Sequence, residues 1–141
     1  MTNSSQDRWI QPGWAIALFI YFGLLTLISI SAYQSNLPAA LDRIPHYDVF
    51  GHFFLIGIAS YLTHRTLNRR RLWVGSLRLP IAPMAIASLT VLDELFQGLS
   101  PARTMSIIDF SANMLGILAF YGLDGWLRSR STKATRHDSA C

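Results

Sequence analysis

The sequence predicts an all-α integral membrane bundle of four transmembrane helices. Two observations carry this. Hydrophobic residues make up 51% of the chain against 14% charged, and the apolar residues fall into long blocks instead of amphipathic stripes. The basic residues, moreover, are shared unevenly among the segments between those blocks, as in a protein that takes one orientation in a bilayer. A helix of about 20 residues rises about 30 Å and so crosses the hydrocarbon layer. The 141 residues are read as a single four-helix domain with short polar tails at both ends.

The first span covers residues 14–33, and from Trp14 to Ser31 it carries no charge. Its rival reading is a signal sequence, because Ser29, Ile30 and Ser31 offer cleavage-like spacing after an apolar run preceded by Arg8, although the run is long for a signal core. The second span, 47–66, carries Asp48, His52 and His64 near its ends. The third, 79–99, has Asp93 and Glu94 in its last third, and the fourth, 107–127, has Asp109 near its start. Residues 128–141 are polar and rich in Ser, Thr and basic residues, the composition of a disordered tail. A lone cysteine, Cys141, leaves no internal disulfide framework, and it forms no lipidation motif.

Lys and Arg concentrate in cytoplasmic segments. Ten of the twelve basic residues lie in the N-terminal tail (Arg8), the second loop (Arg65, Arg69, Arg70, Arg71, Arg78) and the C-terminal tail (Arg128, Arg130, Lys133, Arg136); Arg43 and Arg103 are the remaining two. Both termini and the Arg-rich loop are therefore expected on the cytoplasmic side of the inner or plasma membrane. This accounts for the net charge of +4 and the pI near 9.7 without nucleic acid, since Arg69, Arg70 and Arg71 serve as an anchor to anionic headgroups.

In this orientation the intramembrane acids are expected in the outer half. Along the helices His52 lies roughly 6 Å below Asp48, Asp93 about 9 Å below Leu99, and Asn113 about 9 Å below Ile107. Helical spacing groups them further: Asp48 with His52, Asp93 and Glu94 with Gln97, and Asp109 with Asn113 and Gly116. Each has a plainer reading alone. Asp48 and Asp109 suit helix N-termini, His52 a hydrogen-bonded core, Asn113 and Gln97 interhelical bonds worth about 0.6 to 2 kcal/mol, and Gly116 close packing. Three polar stripes at one depth instead predict a shared pocket, because an ionised group facing lipid costs several kcal/mol. In the loop above it, Ser106 is placed to cap the fourth helix at the Asp109 N–H, and Arg103 to fold back onto Glu94 or Asp109. Leu37, Ala40, Leu41 and Ile44 are spaced for a short interfacial helix or, equally, belong to an irregular loop.

Together these residues resemble the VanZ-like family of small membrane proteins. Asp48-Val49-Phe50-Gly51-His52-Phe53 is similar to the family's D-K-x-x-H-F, Glu94-x-x-Gln97 to its E-x-x-Q, and Pro101-Ala102-Arg103 to its P-G-R, while Ser106, Asp109, Asn113 and Gly116 match its S and D-x-x-x-N-x-x-G series. The match covers about half the chain, from the second helix to the fourth. Val49 stands where the family has lysine and Ala102 where it has glycine; the first removes a positive charge beside Asp48. The resemblance implies a setting at the cell envelope, since the namesake is associated with low-level resistance to the glycopeptide teicoplanin, and it implies no established chemistry.

Three functions fit. The pocket binds a lipid headgroup or envelope precursor, with Arg103 and His52 holding the anion and Asp93, Glu94, Asp109 and Asn113 orienting them. Alternatively it is a small intramembrane hydrolase or transferase on a lipid phosphate or glycolipid, with His52 as general base, although no Ser or Cys stands in a nucleophile motif. Or the polar stripe is a docking seam for a larger membrane complex. No cofactor is expected, and the spacings match no metal motif.

Overall fold

In the computed structural model, which describes residues 9–34, 46–98 and 106–138, the elements run α1 (Pro12–Tyr33), α2 (Tyr47–Thr66), β1 (Arg71–Val74), β2 (Leu77–Pro80), α3 (Ile81–Gly98) and α4 (Ile107–Asp138). Pro12 opens α1, where its missing N–H costs no helical bond. α1 lies antiparallel to α2: the Gln11 N–H donates to the Thr66 carbonyl (2.9 Å), Trp14 meets Tyr61 edge to face (5.9 Å), and the Tyr21 hydroxyl donates to the Leu55 carbonyl (2.8 Å).

α2 and α4 run parallel and form the main helix pair, in contact from His52 and Asn113 at one end to His64 and Asp124 at the other. Two glycines let their backbones close. A Cβ on Gly116 would overlap the Phe53 carbonyl oxygen, and one on Gly57 would come within 2.5 Å of the Phe120 ring. α3 leans on both α2 and α4. Its buried stripe is Ala82, Ile86, Thr90 and Glu94, spaced one helical turn apart, so Glu94 belongs to the inward face whereas Asp93 is exposed.

The polarity runs opposite to that of a water-soluble bundle. Ser60, His64, Thr66, Thr90, Glu94, Asn113 and Asp124 are buried, while Ile16, Phe19, Phe50, Leu89, Phe96, Leu115 and Leu118 are exposed. Pro12–Ala32 and Ile107–Ser131 are each long and apolar enough to cross a membrane.

Two sequence-based boundaries change. Residues 71–80, expected as loop with the third helix starting at 79, form an antiparallel hairpin, and α3 starts at Ile81. Arg71 faces Pro80 and Trp73 faces Arg78 across the ladder, and the two-residue turn Gly75-Ser76 has Gly75 at φ +61°. Positive φ at the first turn residue alone is the type II′ geometry that follows the twist of a hairpin. The fourth helix, expected to end at 127 before a disordered tail, continues to Asp138. Residues 128–138 contain no Gly or Pro, and extending an existing helix needs only propagation, not a new nucleus. The segment around Leu37, Ala40, Leu41 and Ile44 lies outside the described residues.

Candidate functional site

The structure draws His52, Asp109 and Asn113 together where α2 and α4 begin. The His52 ring nitrogen Nδ1 lies 3.2 Å from Asn113 Oδ1, and Nε2 lies 4.0 Å from Asp109 Oδ2. With Nδ1–H donating to Asn113, the remaining nitrogen is directed at the carboxylate, at a distance too long for a hydrogen bond. Asn113 is buried; the side chains of His52 and Asp109 keep 23% and 20% of their exposure, so the bridge is reachable from outside. Ser106 Oγ accepts the Asp109 N–H at 3.2 Å, which caps α4 and fixes where the carboxylate stands.

The same helix pair also carries an apolar groove of about 450 Å³, lined by Phe50, Phe53 and Phe54 of α2 and Ile108, Ala112 and Leu115 of α4; His52, Asp109 and Asn113 are not among its lining residues. Its walls are the sequence neighbours of the polar residues, about 100° away from them around each helix, so the groove opens on a different side of the helix pair from the bridge.

Of the other candidates, Glu94 is 2% exposed, and neither carboxylate oxygen has a hydrogen-bond partner among the described residues. Asp48 is exposed on the first turn of α2. Gly116 sits against the Phe53 backbone. Arg103 and the side chain of Gln97 lie outside the described residues. Among those described, no three His, Cys, Asp or Glu side chains converge as metal ligands.

A second polar cluster, absent from the sequence reading, occupies the other end of the α2–α4 pair. Asp124, 3% exposed, accepts from Arg69 Nε (2.5 Å) and Nη2 (2.9 Å) and from Arg65 Nη1 (3.2 Å), with His64 Nε2 at 4.0 Å. The hydrogen bonding that Arg69 donates to Asp124 raises the pKa of its guanidinium against the opposing effect of burial. Asp124 lies at the opposite end of the α2–α4 pair from His52 and Asp109, apart from the acids that the sequence groups at one depth. Its signal was legible, as an acid inside the fourth apolar block, three residues before the expected helix end.

Each of the four tryptophans carries an arginine over its ring: Arg70 on Trp9 (3.7 Å), Arg65 on Trp14 (4.4 Å), Arg78 on Trp73 (4.2 Å) and Arg130 on Trp126 (3.9 Å). All belong to the end of the molecule where α1 starts, α2 ends and the hairpin sits.

Compared with family models, curated proteins and solved structures, the chain matches none.

Proposed function

We propose that the chain is a four-span membrane protein of VanZ-like type, with both termini and the hairpin cytoplasmic, that binds an anionic lipid or envelope precursor near the outer leaflet in an accessory role. Support for the four spans comes from the apolar exterior over a polar interior and from the lengths of α2 and α3, 20 and 18 residues, which rise about 30 and 27 Å. Stacked arginine–tryptophan pairs at one end suit a cytoplasmic interface, where basic residues and aromatic belts coincide.

The observation that carries the binding reading is the partly exposed His52–Asn113–Asp109 bridge, on a helix pair that also bears an apolar groove. The bridge, with Arg103 of the adjacent loop, takes the headgroup. Binding is favoured over catalysis because, among the described residues, neither His52 nor His64 is hydrogen-bonded to a hydroxyl or thiol that it could activate.

The test is lipid analysis of the purified full chain. The expected result is a co-purifying anionic lipid or precursor that is reduced in His52→Ala and Arg103→Ala and left chemically unchanged on incubation. Turnover of any such lipid, abolished by His52→Ala with helicity intact, would transfer the site to the enzymes. Equal lipid recovery from wild type and both variants would remove the site altogether.

A further inference from the structure

We infer that the chain carries a second binding site, at the hairpin end, for the phosphate of an anionic phospholipid headgroup. A cavity of about 500 Å³ lies between the hairpin, the end of α2 and α4. That volume is in the range of small-molecule sites, well beyond one or two waters. Into it face Arg69, Arg71, Arg78 and Arg128, with His64 and Asp124 in its wall. Asp124 is already engaged by Arg65 and Arg69. Arg71 and Arg78 have no acid partner among the described residues.

Three features select a phosphate. Guanidinium groups present paired N–H donors that fit phosphate oxygens two at a time. Arg78 is stacked on Trp73, which holds its plane and leaves its edge donors available. His64, 3% exposed, has an Nδ1 without a hydrogen-bond partner among the described residues, a polar atom in the wall that a ligand can satisfy.

The hairpin selects a lipid over a soluble anion. Alternation puts Arg71, Trp73 and Arg78 on one face and Leu72, Val74 and Leu77 on the other, and those three are 56%, 58% and 62% exposed. The hairpin thus turns its arginine face to the cavity and leaves the opposite, apolar face uncovered; with the arginine–tryptophan pairs this amphipathic element is suited to lying in the interface of an anionic leaflet.

The test uses full-length protein in neutral detergent, titrated with phosphatidylglycerol or with phosphatidylcholine and read by native mass spectrometry. We expect saturable phosphatidylglycerol adducts, weakened on the order of 30-fold in the double variant Arg71→Ala/Arg78→Ala, with phosphatidylcholine adducts unchanged. Gly125→Asp is an independent variant on α4: a Cβ there meets nothing within 4 Å, so it adds a negative charge to the cavity wall without steric conflict. It should weaken the same adducts and decides the matter should the double variant fail to fold. Both variants leave the His52 bridge intact, so loss of binding here is separable from loss at that site. Unchanged phosphatidylglycerol binding in folded Gly125→Asp overturns the inference. So does tight binding of inorganic phosphate that phosphatidylglycerol cannot displace, which would make this a site for a soluble anion.

Discussion

Arg69, which follows the end of α2 with its backbone at φ +57°, places its guanidinium on Asp124 of α4, 55 residues further along the chain. A left-handed backbone on a non-glycine residue costs on the order of 1 kcal/mol. The two-point ion pair and the Arg69 N–H bond to the His64 carbonyl (2.8 Å) hold it there. The pair therefore sets both the exit of α2 and the position of the hairpin that follows. Asp124→Asn leaves Arg65 and Arg69 without their counter-charge, but those side chains keep about a quarter of their exposure and can rehydrate. The expected loss is about 3 kcal/mol, the low end for breaking a buried pair, measured by denaturant unfolding in detergent. Wild-type stability in this variant would show that the pair is dispensable.

The glycines of α4 give a steric contrast. Gly116→Ala drives a methyl group into the Phe53 backbone, which cannot rotate away, so α2 and α4 must separate at a cost of about 1–3 kcal/mol. Gly122→Ala meets nothing within 4 Å and should be neutral or stabilising by up to about 1 kcal/mol through helix propensity. Thermal unfolding of the two proteins side by side checks the order; equal shifts would contradict the close approach.

His52 and Asn113 should be energetically coupled, because each supplies the other's hydrogen bond across the helix pair. A cycle of His52→Ala, Asn113→Ala and the double variant is expected to yield about 0.6 to 1 kcal/mol of interaction. A coupling near zero would mean that the two side chains merely lie side by side.

The limits of α2 are readable from its apolar block, the expected span 47–66 being the same as the helix, whereas the start of α3 and the end of α4 are not. The bridge was readable in part, since i,i+4 spacing put Asp109 and Asn113 on one face and matched His52 to them in depth. The hairpin was not read, although Arg71-Leu72-Trp73-Val74 and Leu77-Arg78-Leu79-Pro80 alternate around a Gly-Ser turn. Its arginines were assigned wholly to membrane orientation. Asp124 was missed for a related reason: its partners, Arg65 and Arg69, look like solvent-facing charges until the turn after α2 folds them back.

The proposed orientation rests on the charge distribution and the stacked tryptophans. Single cysteines in a Cys141→Ser background, at position 70 and at position 103, should react with an impermeant reagent from opposite sides: 103 in intact cells, 70 only after the membrane is opened. Labelling of position 70 in intact cells would reverse the topology and place the arginine cavity on the outer face.

Glu94 poses the sharpest electrostatic question in the bundle. It closes the inward stripe of α3 at 2% exposure, and neither oxygen receives a hydrogen bond among the described residues. Thr90, one turn before it, spends its hydroxyl on the carbonyls of Ile86 (3.1 Å) and Ala87 (2.8 Å) and does not help. A buried carboxylate left so is costly, so a counter-charge is expected from beyond the helix end. Arg103 is the basic residue in the segment joining α3 to α4. If it is that partner, Glu94→Gln and Arg103→Gln should each lower stability by about 1–3 kcal/mol, and the double variant should cost less than the sum by at least about 0.5 kcal/mol. Denaturant titration of the four proteins decides the matter: strict additivity of the two changes would show that Arg103 is not the partner of Glu94.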